Sequence, residues 1–407
     1  MTDGLSIDDT EELVDFNSEG YHEMIVKSLL NKGNNKRLKV AIEKAKRGDN
    51  ITLAFIGGSI THGAGAEPLH TSNYAHLTYT AFKDMFGKDG GNQIHFIKAG
   101  LGGTPSELGM IRYERDVLRN GTVQPDIVVV EFAVNDADDE TKGICYESLV
   151  LQILSAANEP AVILLFSVFE NDWNLQEQLS HVGWHYELPM VSVKDAVTKQ
   201  FSKSKDEGHV ISKLQFFSDI YHPTNAGHRI MADCLRWLFT ETDRCAPNQK
   251  DIVINKPPVF GNDFADVRLL DRDNCPSGTK ITEGGFYASD SELQFAEMDD
   301  HPSGTAQFPY NWMHTSESGS DSFTMTLHCK SLLLIYKNSG SDDFGNADIW
   351  VDGKLVKVAE SQTVKWTRCH ALILYREPQS REHTVEIRMA AEHESKRFTI
   401  LGFGFVQ

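Results

Sequence analysis

Ile51-Thr-Leu-Ala-Phe-Ile-Gly-Gly-Ser59-Ile-Thr-His62 is the stretch that decides the fold. Its first six residues contain one polar member, so they do not alternate between core and solvent. They read as a strand buried on both faces, broken by Gly57-Gly58. Three later runs have the same character: Ile94-His-Phe-Ile-Lys98, Asp126-Ile-Val-Val-Val-Glu-Phe-Ala133 and Ala161-Val-Ile-Leu-Leu-Phe-Ser-Val168. Helical patterns separate them at Tyr74 to Phe86, Ser106 to Arg119 and Cys145 to Asn158. An amphipathic helix, Arg37 to Arg47, precedes the first strand, and a helix over Asn225 to Phe239 closes the unit. Continuous apolar strands alternating with helices predict an α/β fold, a parallel sheet covered on both faces.

Outside this unit the character changes. Residues 1–34 read as a polar extension with one short helix around His22 to Leu30. Beyond about Arg244, turn signals such as Pro257-Pro258 and Ser339-Gly-Ser-Asp-Asp343 punctuate short strands, including Ser322 to His328, Ser331 to Tyr336, Ala347 to Val351 and His383 to Met389. Val351-Asp-Gly-Lys-Leu355 has the chemistry of a hairpin turn. A jelly-roll-like β-sandwich is expected over 246–407, after an α/β domain over 1–245. The whole chain, 407 residues, is long enough for two such domains.

Charge and cysteine content narrow the partners. With 39 Lys plus Arg against 58 Asp plus Glu, the formal charge is -19, which disfavours nucleic acid and anionic membranes. The six cysteines form no CxxC pair, which speaks against a zinc ribbon or a thioredoxin-like motif and for separate reduced thiols. Met1 to Glu12 has neither a basic nor an apolar segment of an export signal, and no run approaches the ~18 apolar residues of a spanning helix. A cytoplasmic location is therefore expected.

The chemistry gathers at the strand ends, where α/β sheets bind ligands. Ser59 follows a buried strand on a glycine turn that leaves its hydroxyl and neighbouring N–H groups accessible; it reads equally as a nucleophile or as an N-cap. Gly100-Leu-Gly102-Gly103-Thr104 can aim a backbone N–H at a developing oxyanion, and the Asn135 amide can add another donor, although taken alone it reads as a helix cap. Asp219-Ile-Tyr-His222 places a carboxylate three residues before an imidazole, so that Asp219 can orient His222 while the other ring nitrogen takes a serine proton. His228, on the following helix, is expected to pack structurally.

The order Ser, Gly, Asn, Asp-x-x-His, each at a strand end, resembles the SGNH (GDSL-type) hydrolase superfamily over roughly Asn50 to Phe239. The resemblance implies a three-layer α/β fold. It makes Ser59 the nucleophile and first oxyanion donor through its N–H, Gly102 the second donor, Asn135 the third, and Asp219 and His222 the rest of the triad, with no cofactor and no metal. Gly103 remains an alternative to Gly102. Two motifs depart from the usual pattern: Gly57-Gly58-Ser59-Ile60 replaces Gly-Asp-Ser-Leu, and Ala133-Val134-Asn135-Asp136 replaces Gly-x-Asn-Asp. Both variants occur among carbohydrate esterases of the superfamily.

The C-terminal part looks like a β-sandwich carbohydrate-binding module similar to family 35. The combination resembles carbohydrate esterase family 17, which implies O-acetyl removal from mannan-type oligo- or polysaccharides, with an acetylated oligosaccharide as partner. Alternatives are a lysophospholipase or thioesterase on the same blocks, or a non-catalytic carbohydrate-binding protein. Trp312, in Phe308-Pro-Tyr-Asn-Trp-Met-His314, is expected as an exposed sugar-stacking platform, with inter-domain packing as its alternative, whereas Trp350 and Trp366 are expected in the core. His62, Trp173 and His185 are expected to be structural rather than to line the cleft. Asp342-Asp343-Phe-Gly-Asn346-Ala-Asp348 is read as a solvated turn, its other reading being a calcium site.

Overall fold

The structure, a computed structural model, describes residues 13–407; Met1 to Glu12, on which the expected lack of an export signal rests, lies outside the described residues. The α/β domain carries six strands: β1 (Leu29–Asn31), β2 (Ile51–Gly57), β3 (Ile94–Gly100), β4 (Ile127–Glu131), β5 (Ala161–Phe166) and β6 (Met190–Ser192). They form one sheet in the order β1-β6-β5-β4-β2-β3. The five strands β6 to β3 are parallel, and only edge strand β1 runs antiparallel. Strands β2, β4 and β5 are buried almost throughout, as their unbroken apolar runs require.

Helices cover both faces: α1 (Glu19–Val26), α2 (Lys36–Arg47), α3 (Ser59–His62), α4 (Leu69–Ser72), α5 (Tyr74–Phe86), α6 (Ser106–Arg112), α7 (Ile144–Leu154), α8 (Gln176–His185), α9 (Val193–Phe201), α10 (Lys213–Phe216) and α11 (Asn225–Arg244). On one face α1, α2, α5, α9 and α11 build an apolar cluster that includes Ile42, Phe82, Val197 and Leu238. The expected helix from Ser106 stops at Arg112, and one π-helical turn, Tyr113 to Val117, continues it.

The C-terminal domain is antiparallel β-structure, as expected. It contains β7 (Arg268–Leu270), β8 (Lys280–Thr282), β9 (Phe295–Ala296), β10 (Thr305–Ala306), β11 (Trp312–His314), β12 (Phe323–Asn338), β13 (Ala347–Val351), β14 (Lys354–Ala359), β15 (Arg368–Met389) and β16 (Phe398–Val406). The two longest strands shift register around Cys329 to Leu333. As a result β12 pairs with β8 before that point and with β16 after it. Such shifts bend a sheet, and the bent sheet wraps its own core of Phe323, Leu334, Ile349 and Phe403.

The two domains also share apolar packing. On the second face of the α/β sheet, Leu108 and Ile111 of α6 and Leu149 of α7 belong to one cluster with Phe264, Leu293, Phe308, Leu333 and Leu401. The sequence gives two domains, yet α6 and α7 are packed between the parallel sheet and the β-domain. No helix among the described residues is long and apolar enough to cross a membrane.

Candidate active site

The site lies at the carboxyl ends of β2, β3 and β4. Gly57 ends β2, Gly58 caps α3, and Ser59 is the first residue of that single turn, so its N–H has no intrahelical acceptor. Gly63, in the left-handed region at φ 112°, closes the turn. Beneath it, the fully buried Arg112 donates to Ala99 O at 3.1 Å and Gly57 O at 3.4 Å, tying together the ends of β2 and β3. Its charge is met by Asp116 at 2.7 Å, whose carboxyl is held at about 2: burial opposes ionisation, but Arg115 and Arg112 outweigh it.

Asp219 and His222 lie in the loop before α11. Phe217 and Pro223 bridge across this loop, and Ser218 N–H bonds His222 O at 2.8 Å. His222 Nδ1 is 2.8 Å from Asp219 Oδ2, and Nε2 is 2.9 Å from Ser59 Oγ. A carboxylate only accepts, so Nδ1 carries the proton and Nε2 is left as the base facing the serine. The Asp219 carboxyl is partly buried, which alone would raise it; bonds from the His222 ring and from the Tyr221 and His222 N–H groups bring it below the usual carboxylate range. That favours the charged form which orients the ring.

Gly102 and Gly103 follow β3. A Cβ added to Gly102 would lie 3.9 Å from Ser59 Cβ, so the two strand ends face each other. Neither N–H of this glycine pair, nor that of Ser59, has an acceptor among the described residues. The Asn135 amide lies against Gly58, and its Oδ1 is buried without a partner. Asn135 does not cap a long helix: it precedes a short 3-10 turn and makes no side-chain cap bond. Its neighbour Asp136 does the capping, accepting from Ser106 N–H at 2.7 Å and Ser106 Oγ at 2.8 Å.

Below the site, Glu131 at the end of β4 is wholly buried and accepts from Thr61 Oγ1 at 3.1 Å and from the Ser167 hydroxyl. No cation pairs with it among the described residues, and burial pushes its carboxyl up to about 7, against the two hydroxyl bonds. The signal was visible in sequence as an acid inside an apolar run. His228 is buried and structural as expected, with Nδ1 accepting from Tyr74 N–H and Nε2 donating to Ala64 O.

The readings of Trp312 and Trp366 are reversed, while Trp350 is half-buried in β13. Trp312 is 1% exposed; it lies in β11, packs on Phe323 and Phe403, and donates to Glu283, so it is no sugar platform. Trp366, expected in the core, is 45% exposed, and a Cβ on Gly103 would come within 2.7 Å of its ring. It therefore sits on the candidate oxyanion loop. On the other flank, Ile220 and Tyr221 are exposed between Asp219 and His222, and Tyr221 packs edge-on to Phe169, which stacks on Trp173. His185 is remote from the triad, bonded to Pro257 O.

His62 ends α3 close to the triad; burial, with Lys98 and His222, pushes it down to about 4, and it accepts from Glu297 N–H at 3.0 Å. Asp343 of the proposed solvated turn is engaged by Arg397 at 3.0 Å. Among the described residues, the side chains close enough to share an ion are Glu107, Asp139 and Cys145. Burial and Asp139 push the Glu107 carboxyl and Cys145 thiol well up, and Asp139 accepts from Thr141 and Gly143 N–H. A cleft of 1310 Å³ between the domains, lined in part by Arg119, Gln152, Asp273 and Tyr310, contains none of the triad residues.

No curated protein matches the sequence. Among solved structures, a two-domain esterase (CEX) active on acetylated mannans aligns at 24% identity over 94% of this chain and 99% of its own, with a TM-score of 0.78. The same esterase co-crystallized with mannopentaose aligns at 24% identity, over 94% and 98% of the two chains, with a TM-score of 0.77. This likeness extends through both domains and establishes a shared two-domain fold. Residues 55–230, which hold all the residues of the candidate triad and the three candidate oxyanion donors, match the GDSL-like Lipase/Acylhydrolase family. Residues 55–230 of the α/β domain are thus similar to the GDSL-like lipase/acylhydrolases.

Proposed function

We propose that this chain is a serine carbohydrate acetylesterase that removes O-acetyl groups from mannan-type oligo- or polysaccharides. The observation that carries the reading is the continuous relay Asp219–His222–Ser59, at 2.8 and 2.9 Å, beside N–H groups with no acceptor among the described residues. His222 Nε2 takes the Ser59 proton as Oγ attacks the acetyl carbonyl carbon. The carbonyl oxygen becomes an oxyanion held by the Ser59 and Gly102 N–H groups and the Asn135 amide. The proton passes from His222 to the departing sugar oxygen, leaving acetyl-Ser59. Water, deprotonated by His222, then releases acetate and restores the serine.

The substrate class rests on the surroundings of the relay. Trp366 and Tyr221 present exposed aromatic surface on two sides of it, suited to the apolar faces of sugar rings. The net charge of -19 suits a neutral glycan better than an anionic lipid. The two-domain esterase that shares the fold is itself active on acetylated mannans. We place the enzyme in the cytoplasm; all six cysteines are unpaired, and four of them are buried.

A chain-length series of p-nitrophenyl esters tests the reading. Activity should be greatest with acetate and absent in Ser59→Ala; peak activity at hexanoate or longer would favour the lysophospholipase or thioesterase alternative instead.

A further inference from the structure

The oxyanion loop is built from two successive peptides whose residues have no side chains to fix them. Gly103 sits at φ 65°, a conformation glycine adopts freely, and the Gly102–Gly103 peptide can rotate about its flanking bonds at little steric cost. That peptide carries the Gly103 N–H, the alternative oxyanion donor, and its rotation would put the Gly102 C=O in place of this N–H, turning a stabilising dipole against a developing negative charge. Each carbonyl is nevertheless pinned. Thr104 Oγ1 donates to Leu101 O at 2.8 Å, which fixes the peptide bearing the Gly102 N–H. The Gly102 carbonyl is held from the other domain: Gln294 Nε2 donates to Gly102 O at 2.8 Å.

Gln294 is itself well fixed. It is 7% exposed, and its Oε1 accepts from Cys369 N–H at 2.8 Å. The two partners require opposite ends of the amide, so only one orientation satisfies both. Its chain neighbours extend the strap. Glu297 N–H donates to His62 Nε2 at 3.0 Å, and Asp299 accepts from Lys98 N–H at 2.8 Å. The segment 294–299 thus touches the α3 turn that carries Ser59 and the strand that leads to Gly102.

We propose that Gln294 is a positioning residue of the oxyanion loop, by which the β-domain forms part of the catalytic centre as well as a surface for sugar. The inference rests on the esterase reading above. It predicts that Gln294 matters even for p-nitrophenyl acetate, which has no sugar to bind.

The test is steady-state kinetics of the full chain with p-nitrophenyl acetate, comparing wild type, Gln294→Met and Gln294→Glu. Gln294→Met removes both amide bonds while keeping the volume. Its kcat should fall about 10- to 100-fold, less than or similar to the loss of a whole oxyanion donor, with KM within about twofold. Gln294→Glu keeps the acceptor for Cys369 N–H but places an oxygen against Gly102 O. When ionised it favours the rotated peptide; when protonated it donates as glutamine does, and its burial raises the pH at which that happens. Its kcat relative to wild type, measured at each pH, should therefore recover at least about fivefold between pH 8 and pH 5.5. A purely structural contact would give a pH-independent deficit. Wild-type kcat in Gln294→Met, or a flat Gln294→Glu ratio across pH, overturns the proposal while leaving the esterase reading intact. An inactive wild type overturns both.

Discussion

The Asn135 side-chain amide rests against the Cα of Gly58, so closely that a Cβ on Gly58 would lie 2.2 Å from Asn135 Oδ1. Glycine at position 58 leaves the room that the Asn135 amide occupies. The residue before the nucleophile and the third candidate oxyanion donor are therefore one packing unit. Gly58→Ala should displace the amide and lower kcat toward that of Asn135→Ala, a loss of about 10²–10³-fold, with KM for p-nitrophenyl acetate little changed. Turnover measured in both variants checks this; a fully active Gly58→Ala would remove Asn135 from the oxyanion hole.

Trp366 and Trp312 should respond in opposite ways. Trp366→Ala should raise KM for acetylated mannooligosaccharides roughly tenfold and change p-nitrophenyl acetate hydrolysis far less, because the ring is exposed beside the relay and p-nitrophenyl acetate has no sugar to stack on it. Trp312→Ala empties a buried site and should cost roughly 3–5 kcal/mol of stability, read by thermal or urea unfolding. Equal KM values for Trp366→Ala and wild type on the glycan would remove the platform.

Glu131 gives a pH signature in stability. Its folded pKa, about 7, lies above the model-compound value of 4.5, so the folded state binds the proton more tightly than the unfolded state. The stabilisation is full below pH 4.5 and is lost as pH rises through 7. Glu131→Gln keeps a neutral, hydrogen-bonding side chain and does not ionise. Its stability relative to wild type should rise with pH between about 5 and 8, by on the order of 3 kcal/mol for the whole shift. Urea unfolding of both proteins at four pH values measures it; a pH-independent difference would mean that Glu131 ionises normally.

Much of this architecture was legible in the residues, for physical reasons that also mark where legibility stopped. Strands β2, β4 and β5 are buried on both faces and show apolar runs, whereas β1 and β6, of three residues each, are too short to carry a pattern. Ser59, Gly102 and Asn135 were readable because strand ends are where a parallel sheet presents side chains; Asp219 and His222, expected at a strand end, lie instead in the loop between α10 and α11 and were readable from their spacing of three. The tryptophans misled because local composition does not report depth. Trp312 follows Pro309-Tyr310-Asn311 yet enters a strand whose three residues are all buried, while Trp366 lies in a turn beside Gly103. Gln294 carried no signal at all: its partner is 192 residues away, and a lone glutamine has no spacing to betray it. Contacts across the domain interface belong to the tertiary structure alone.

Deacetylation of mannan-type glycans by Ser59, driven by His222 and Asp219, is read out by NMR of acetylated mannooligosaccharides before and after incubation, because the spectrum reports the loss of each O-acetyl group on the sugar itself. Wild type should remove acetyl signals and release acetate, and Ser59→Ala, folded to the same extent by circular dichroism, should leave the spectrum unchanged. An unchanged spectrum with wild type, or equal acetate release by Ser59→Ala, would contradict it.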